Sequence, residues 1–166
     1  MKITWYIPFI AALAPMVVGF VWYNPKVFGT AWMKAADMDP EKAKGANMGL
    51  VFGLAYVLSL LVAVALTFST IHQFHIFSIL ADQPDFKTPG SETQNWIADF
   101  LAKHGNNFRT FKHGAFHGAL VGILVGVPVV GTNALFERKG FKYVAINGGY
   151  WIVAMALMGG VVCAWL

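Results

Sequence analysis

Four stretches of the chain contain no Asp, Glu, Lys or Arg, and they constrain the fold more than any other feature. They cover residues 3–25, 45–81, 113–136 and 143–166, which is most of the 166-residue sequence. The hydrocarbon core of a bilayer is about 30 Å thick, and an α-helix crosses it with roughly 20 mainly apolar residues. Each stretch is long enough to cross. The sequence therefore predicts an all-α polytopic membrane protein with four transmembrane helices in a single domain.

The overall composition excludes a water-soluble core. Hydrophobic residues make up 57% of the chain and charged residues 12%, about half the charged fraction of soluble domains. The formal charge of +4 lies in loops and ends, where it favours anionic lipid headgroups, whereas nucleic-acid binding requires a continuous basic face. Cys163 is the single cysteine, so the chain forms no internal disulfide and no cysteine metal cluster. The expected partners are the lipid bilayer and other membrane helices, and not nucleic acid.

Helix signals place the spans at about residues 4–23, 45–71, 114–135 and 143–165. Asp39-Pro40-Glu41 is typical of a helix start, so span two is expected to begin near Pro40 and to enter the bilayer at Gly45. The long loop before span three has a capping box, Ser91 followed by Gln94, and then apolar residues at helical spacing up to Gly105. This pattern predicts an amphipathic helix between spans two and three, lying on the membrane surface or capping the bundle.

Aromatic residues and basic residues give the expected placement in the membrane. Prolines at positions 8, 15 and 128 predict bends in spans one and three. Loops one and three together contain seven Lys and Arg, against five on the other side. The positive-inside rule therefore places loops one and three in the cytoplasm and both termini outside. The predicted interfacial anchors are Trp5, Trp22, Tyr23, Trp32, Trp96 and Trp165.

Two short motifs resemble a known family. The first is Trp22-Tyr23-x-Pro25-x-x-Phe28-Gly29-x-x-Trp32 at the end of span one, and the second is an Asn-Gly-Gly-Tyr at residues 147–150. The segment is similar to the signature of a bacterial membrane family known only as domain-of-unknown-function family 1761. The resemblance covers nearly the whole chain and implies the four-span architecture. That family carries no established activity, so the resemblance implies no catalytic residues.

Two ladders of glycine at four-residue spacing predict close helix packing. Small residues at this spacing form a flat stripe on which another helix approaches closely. Span two begins with one ladder and span three contains the other: Gly45, Gly49 and Gly53, and Gly114, Gly118, Gly122 and Gly126. The ladders are interpreted as packing surfaces within one bundle, or as a homo-oligomer interface.

Histidines gather at one predicted end of the bundle. His72 and His75 follow span two, and His113 and His117 begin span three. Spacings of three and four residues place each pair on one helix face, as ligation by facing helices requires. Neutral imidazole suits zinc, copper, iron or nickel. These residues are candidates for a metal or haem site, and the alternative is that they are polar residues at helix ends.

Asparagines gather at the opposite predicted end. Asn24, Asn47, Asn133 and Asn147 each lie at one end of a different span. They are interpreted as interhelical hydrogen-bonding groups or caps, with a polar vestibule for a small solute as the alternative.

Motifs for a named chemistry are missing from the sequence. It contains no Gly-rich phosphate loop, no Gly-x-Ser-x-Gly and no His-Glu-x-x-His. The leading hypothesis is a non-catalytic bundle that self-associates, or packs with a partner, through its glycine faces, and a small-solute pathway is a subsidiary hypothesis. The first alternative is a metal- or haem-dependent membrane enzyme or redox protein using the four histidines. The second is a lipid-binding protein. No cofactor is assigned from sequence alone.

Overall fold

The computed structural model describes residues 3–39, 41 and 45–166. This part of the chain is helical, with no β-strand, which confirms the predicted all-α fold class. The helices up to the long loop are α1 (Ile7–Ala11), α2 (Ala14–Trp22), α3 (Thr30–Ala36), α4 (Met48–Thr70) and α5 (Phe74–Ile79). The later ones are α6 (Glu92–His104), α7 (Phe111–Val121), α8 (Val127–Phe136) and α9 (Phe141–Trp165).

The first predicted span is a broken helix. Proline has no N–H and its ring collides with the carbonyl four residues earlier, so it interrupts a helix. Pro15 lies in the first turn of α2, immediately after the break between α1 and α2. A second change of direction follows α2, where Asn24 caps a π-helical turn, Pro25–Gly29, that leads into α3. The segments Ile7–Trp22 and Pro25–Ala36 are bent by 57° at this point. The prediction of bends in span one agrees with these breaks.

The second span, α4, is a continuous helix of 23 residues. The Asn47 side chain accepts a hydrogen bond from the Leu50 backbone N–H and so caps the first turn. The helix therefore begins at Met48, later than the predicted start near Pro40. Pro40 itself lies outside the described residues, and Gly45 precedes the helix.

The third span joins α7 and α8 through a π-helical turn, Gly122–Gly126. Pro128 lies in the first turn of α8. Proline has no backbone N–H to donate, and the wider π-helical turn before it removes the need for that hydrogen bond. The predicted bend stays a prediction: the π-helical turn begins one turn before the proline, and Phe111–Phe136 counts as a single apolar helix. Span four, α9, runs straight through 25 residues.

Three helices are long and apolar enough to cross a membrane: Met48–Thr70, Phe111–Phe136 and Phe141–Trp165. The broken pair in the first 36 residues makes a fourth crossing if it is counted as one span. These lengths and compositions are those of a multi-pass membrane protein.

Helix α9 lies at the centre of the bundle. Half of its most apolar stretch is buried, against 17% for α4, because α9 packs on α7, α4 and α2 at once. Its Met158 and Val162 are fully buried in the core together with Leu66 and Ile71. The outer helices present most of their apolar side chains outward, as lipid-facing helices do.

The two ends of the bundle differ. At one end lie the beginning of α1, the end of α9 and the segment that contains α5 and α6. The Thr4 N–H donates to the Leu166 carbonyl over 2.7 Å at this end. We call it the histidine end, because His72, His113 and His117 lie here. The amphipathic helix α6 runs over Glu92–His104 with Ser91 as its cap and Gly105 after its last turn, as the sequence predicts. The opposite end carries α3 and the turn between α8 and α9.

Candidate metal site

Three histidines meet at the histidine end. His72 lies in the segment after α4, and His113 and His117 lie in the first two turns of α7. One ring nitrogen from each histidine lies within 4.8 Å of one ring nitrogen from each of the other two. The Nε2 atoms of His72 and His113 are 3.1 Å apart. The geometry therefore brings together three of the four histidines singled out in the sequence.

The spacing of the ring nitrogens is close to that of a metal site. Ligands at 2.0–2.1 Å around a tetrahedral zinc ion are about 3.3 Å from each other. The 3.1 Å pair already has this spacing, and the widest pair in the set, within 4.8 Å, reaches it by rotation of the side chains. His72 is exposed and the other two are half-buried, so the set is open on one side.

Local capping fixes the two helical ligands. The Thr110 hydroxyl accepts a hydrogen bond from the His113 backbone N–H and caps the first turn of α7. His113 and His117 are four residues apart and so share one face of this turn, with ring centroids 4.5 Å apart. A cap of this kind stabilises a helix start by about 1 kcal/mol. The cap thus stabilises the helical turns that carry both rings.

Gln73 fixes the segment that carries His72. Its side chain is buried and donates to two backbone carbonyls, those of His104 at 3.2 Å and Asn107 at 2.8 Å. These bonds tie the segment after α4 to the end of α6. The sequence analysis did not single out Gln73; the signal for it was a polar side chain between two candidate ligands at the end of an apolar helix.

The end of α9 closes the same region. The Cys163 thiol lies 3.5 Å from the Thr70 carbonyl and 3.4 Å from the Phe108 carbonyl. The Arg109 guanidinium donates to the Cys163 carbonyl over 2.7 Å. Burial lowers the pKa of Arg109 from its ordinary value. The ends of α4, α7 and α9 are therefore held together directly beside the histidines.

A cavity of about 370 Å³ adjoins His72. Its walls are Gln73, Phe100, His104, Asn107 and Phe108. It is large enough for several water molecules, each of which occupies about 30 Å³ in the liquid. His113 and His117 are not among its walls, so it offers room for a water molecule or a small ligand on the His72 side of the set.

The electrostatic environment favours neutral imidazole. Loss of hydration lowers the pKa of His72 from its ordinary value of 6.5, and the neighbouring His113 and His75 lower it further. A metal ligand must present an unprotonated nitrogen. The environment of His72 therefore disfavours the protonated form that would compete with a metal.

The remaining histidines lie outside the set. The rings of His75 and His72 are 6.4 Å apart, and His75 is not among the groups whose ligand atoms converge. The His104 ring contacts the Phe100 ring at a tilt of 51° and its Nδ1 atom contacts the Asn107 side chain. His75, predicted as a candidate ligand, is thus placed beside the site.

The glycine ladder of span three lies against α9. An added Cβ atom at Gly114 would collide with the Gly159 carbonyl, one at Gly118 with the Met155 carbonyl, and one at Gly122 with the backbone of Ile152. At Gly126 the nearest atom would be 3.6 Å away, which is an ordinary contact. Three of the four glycines therefore allow close backbone approach within the bundle.

The glycines of span two have a different environment. Gly45 and Gly53 have no neighbour within 4 Å of an added Cβ, and Gly49 has only the Asn47 side chain at 3.4 Å. Within the part of the chain that the structure describes, no helix packs on this ladder. The first half of α4 is exposed on nearly all sides.

Two of the four asparagines act as caps. Asn24 caps the π-helical turn after α2, and Asn47 caps α4. Asn147 lies in α9 and accepts hydrogen bonds from the Tyr23 hydroxyl and the Trp32 indole N–H, at 2.9 and 3.2 Å. Asn133 is exposed on α8. Three of these side chains are thus bonded to the protein at the positions predicted for a polar vestibule.

The two motifs quoted for the family resemblance meet around Asn147. The Trp22 indole N–H donates to the Ile146 carbonyl over 3.0 Å, and the Trp22 ring lies 3.0 Å from where a Cβ at Gly149 would be. The Tyr150 hydroxyl donates to the Pro15 carbonyl over 3.0 Å. We call these contacts, together with the bonds of Tyr23 and Trp32 to Asn147, the aromatic knot.

The predicted anchors fall into two groups. Trp22, Tyr23 and Trp32 are half-buried in the aromatic knot. Trp5, Trp96 and Trp165 are exposed, with Trp5 exposed over 73% of its surface. The second group has the exposure that an interfacial anchor needs.

Comparison with known proteins identifies the family. Residues 8–163 match the family described as Protein of unknown function (DUF1761). No curated protein and no solved structure matches the chain. Because the match covers nearly the whole sequence, the chain belongs to the DUF1761 family.

Proposed function

We propose that the protein binds one transition-metal ion in the membrane, through His72, His113 and His117. The observation that carries the proposal is the convergence of their ring nitrogens within 4.8 Å. Three imidazoles with an open fourth position are the donor set of zinc sites that keep a water or substrate position. The tests below use Zn²⁺ and Cu²⁺, the imidazole-binding ions that the site fits by ligand type.

The same geometry favours a single ion over haem. A haem with two axial histidines requires a flat slot between the two ring nitrogens for the macrocycle. The Nε2 atoms of His72 and His113 are 3.1 Å apart and contact each other directly. A small ion fits between the three rings without separating α4 from α7.

The excess of Lys and Arg in loops one and three supports an outward-facing site. With those loops in the cytoplasm, the histidine end faces the outside of a bacterial inner membrane. The metal would then be taken from, or presented to, the extracytoplasmic space. A cysteine-labelling assay on intact cells, with the label at Asn106→Cys, tests this orientation; labelling of intact cells is expected, and protection until the cells are lysed would contradict it.

Metal binding is tested by calorimetry on detergent-purified protein with a tag that contains no histidine. One equivalent of Zn²⁺ or Cu²⁺ is expected per chain. His72→Ala and His113→Ala should each weaken binding by more than the 10–100-fold that loss of an outer-shell partner typically causes. His72 is exposed, so its replacement should leave the helical content and the unfolding midpoint of the metal-free protein unchanged.

Histidines outside the set provide the matched controls. His75→Ala and His104→Ala should retain the stoichiometry and most of the affinity, because neither side chain converges on the site. Equal losses in His75→Ala and His72→Ala would contradict the assigned ligand set. An absence of saturable binding in the unmodified protein would refute the proposal.

A second candidate function is self-association through the first half of α4. The supporting observation is that Gly49 and Gly53 lie on an exposed helix face with no partner helix in the described chain. Small residues four apart are the surface on which a second copy of such a helix packs. Replacing both by Leu should abolish a dimer seen by sedimentation in detergent, whereas Ala65→Leu, a similar change on another exposed part of α4, should not. A dimer that survives the double replacement would sink this candidate.

A further inference from the structure

A cleft of about 700 Å³ lies between α2 and α4, and none of its lining residues is a histidine. Its apolar walls include Met16 and Phe20 from α2 and Phe52 and Ala55 from α4. Tyr150 of α9 also lines it. The volume is within the range of small-molecule sites, about 300–1,000 Å³. In a bilayer, the occupant of such an apolar cleft comes from the lipid phase.

The Ser59 hydroxyl distinguishes this cleft from an ordinary gap between helices. Ser59 lines the cleft and is only 3% exposed. Thr67, Ser69 and Thr70 on the same helix each donate to the carbonyl four residues earlier. Ser59 makes no such bond, and within residues 3–39, 41 and 45–166 its hydroxyl has no hydrogen-bond partner. Since no fully enclosed side-chain oxygen or nitrogen of these residues lacks a partner, the Ser59 hydroxyl opens into the cleft. A polar group without a partner is costly where no water is present.

Two phenol oxygens give the cleft a defined hydrogen-bonding preference. The Tyr23 hydroxyl gives its proton to Asn147 and the Tyr150 hydroxyl gives its proton to the Pro15 carbonyl. Both residues line the cleft, and because each hydroxyl proton is already donated, each oxygen offers lone pairs only. A ligand that satisfies them must therefore carry a hydrogen-bond donor. The Ser59 hydroxyl accepts or donates as the ligand requires.

We propose that this cleft binds a membrane lipid with a long apolar chain and a hydroxyl group. The chain lies along Phe20 and Phe52, and the ligand hydroxyl donates to a phenol oxygen or exchanges a hydrogen bond with Ser59. A quinone offers carbonyl acceptors only and meets this preference poorly. The site is separate from the metal ligands, so it stands or falls independently of the proposed metal binding.

Photolabelling with a matched pair of probes tests the proposal. The probes are a diazirine-bearing long-chain alcohol and its methyl ether, added to the purified full-length protein in detergent. The alcohol is expected to label Phe20 and Phe52 more than Leu54 and Leu61, which are exposed on α4 but do not line the cleft. The methyl ether, which has no donor, should label the cleft about fivefold less.

Two variants and two controls separate the cleft from general lipid contact. Ala55→Phe fills the cleft and Ser59→Ala removes the unpartnered hydroxyl, and both should lower the labelling by the alcohol about fivefold. Leu54→Phe changes an outward-facing position, and Ser69→Ala removes a hydroxyl that is bonded within its own helix. Neither control should change the labelling.

The outcomes decide the proposal as follows. Even labelling of all exposed α4 positions, or equal labelling by the alcohol and the ether, would overturn it. Competition by phosphatidylglycerol would identify a glycerol headgroup as the source of the hydroxyl, and competition by a polyprenol would identify an isoprenoid alcohol. The folding control for Ala55→Phe is zinc binding, which should equal that of the unmodified protein. If the unmodified protein binds no zinc, the circular dichroism spectrum of the variant is the folding control.

Discussion

Replacement of Gly118 by Ala should destabilise the bundle, whereas the same replacement at Gly126 should not. The two glycines are two steps apart in one ladder, and the sequence gives no reason to treat them differently. In the structure, a Cβ at Gly118 would collide with the Met155 carbonyl oxygen and lie 2.8 Å from its carbonyl carbon. At Gly126 the nearest atom is a Trp151 side-chain carbon at 3.6 Å.

The magnitude follows from the clearance that each site needs. Ordinary contact begins at 3.4 Å and the Met155 carbonyl carbon would lie 2.8 Å from the added Cβ. Because the carbonyl oxygen lies nearer still, the peptide group of Met155 must recede by more than this difference of about 0.6 Å to accept a methyl group at Gly118. Overpacking costs about 1–3 kcal/mol, and a collision with backbone belongs in the upper part of that range, about 2–3 kcal/mol. The higher helix propensity of Ala returns about 1 kcal/mol. We expect Gly118→Ala to lower the free energy of unfolding by about 1–2 kcal/mol. Gly126→Ala should leave it unchanged or raise it by up to about 1 kcal/mol.

The assay is reversible unfolding in mixed micelles, followed by circular dichroism as the mole fraction of sodium dodecyl sulfate increases. A difference of about 2 kcal/mol between the two variants is roughly a 30-fold change in the unfolding equilibrium constant. Equal stabilities for Gly118→Ala and Gly126→Ala would refute the packing of α7 on α9 through the backbone. A loss in both variants would show that the helices approach as closely at Gly126 as at Gly118.

Two further predictions concern polar contacts. Asn147→Ala removes the acceptor of the Tyr23 hydroxyl and should lower the free energy of unfolding in the same assay by about 1–2 kcal/mol. Asn133→Ala, at an exposed position, should have no effect. Equal effects of the two replacements would contradict the role of the aromatic knot. Hydrogen bonds from Thr93 hold the pKa of Asp85 below its ordinary value of 3.8, so the stabilisation of the first turn of α6 is present above pH 3.8 and is lost as the pH falls through the lower folded-state pKa. A carboxyl titration by NMR should show a midpoint below 3.8 that rises in Thr93→Val, and an unchanged midpoint would contradict the contact.

Hydrophobic runs and capping residues were sufficient to predict most of the fold. The cap at Ser91 and the stop at Gly105 define α6 as expected, because both signals act through bonds within a few residues. The start of α4 was predicted too early. Pro40 satisfies the local rules for a helix start, but Asn47 caps the helix that the structure describes. Two competing local signals cannot be ranked without knowing which one the neighbouring helices support.

The candidate sites were less predictable because they depend on contacts between distant segments. Spacing placed His113 and His117 on one face, but only the packing of α4 against α7 brings His72 to them and leaves His75 aside. The two glycine ladders look equivalent in sequence. Whether a ladder faces another helix depends on how far the helices splay, which single-helix patterns do not encode. The Ser59 cleft gave no signal beyond one serine in an apolar run.

The aromatic knot has a consequence for the order of assembly during synthesis. The Trp22 and Tyr23 bonds to α9 join positions 124 residues apart in sequence. A ribosome adds about 5–20 residues per second, so the first segment waits on the order of 6–25 s in the bilayer before its partners emerge. During that interval the first segment can pack on α4, to which the Tyr56–Phe9 hydrogen bond ties it, but the bonds of Trp22 and Tyr23 have no partner. Helix α9 therefore completes these contacts, and a nascent chain stalled before residue 147 should leave Tyr23 and Trp32 open to chemical modification.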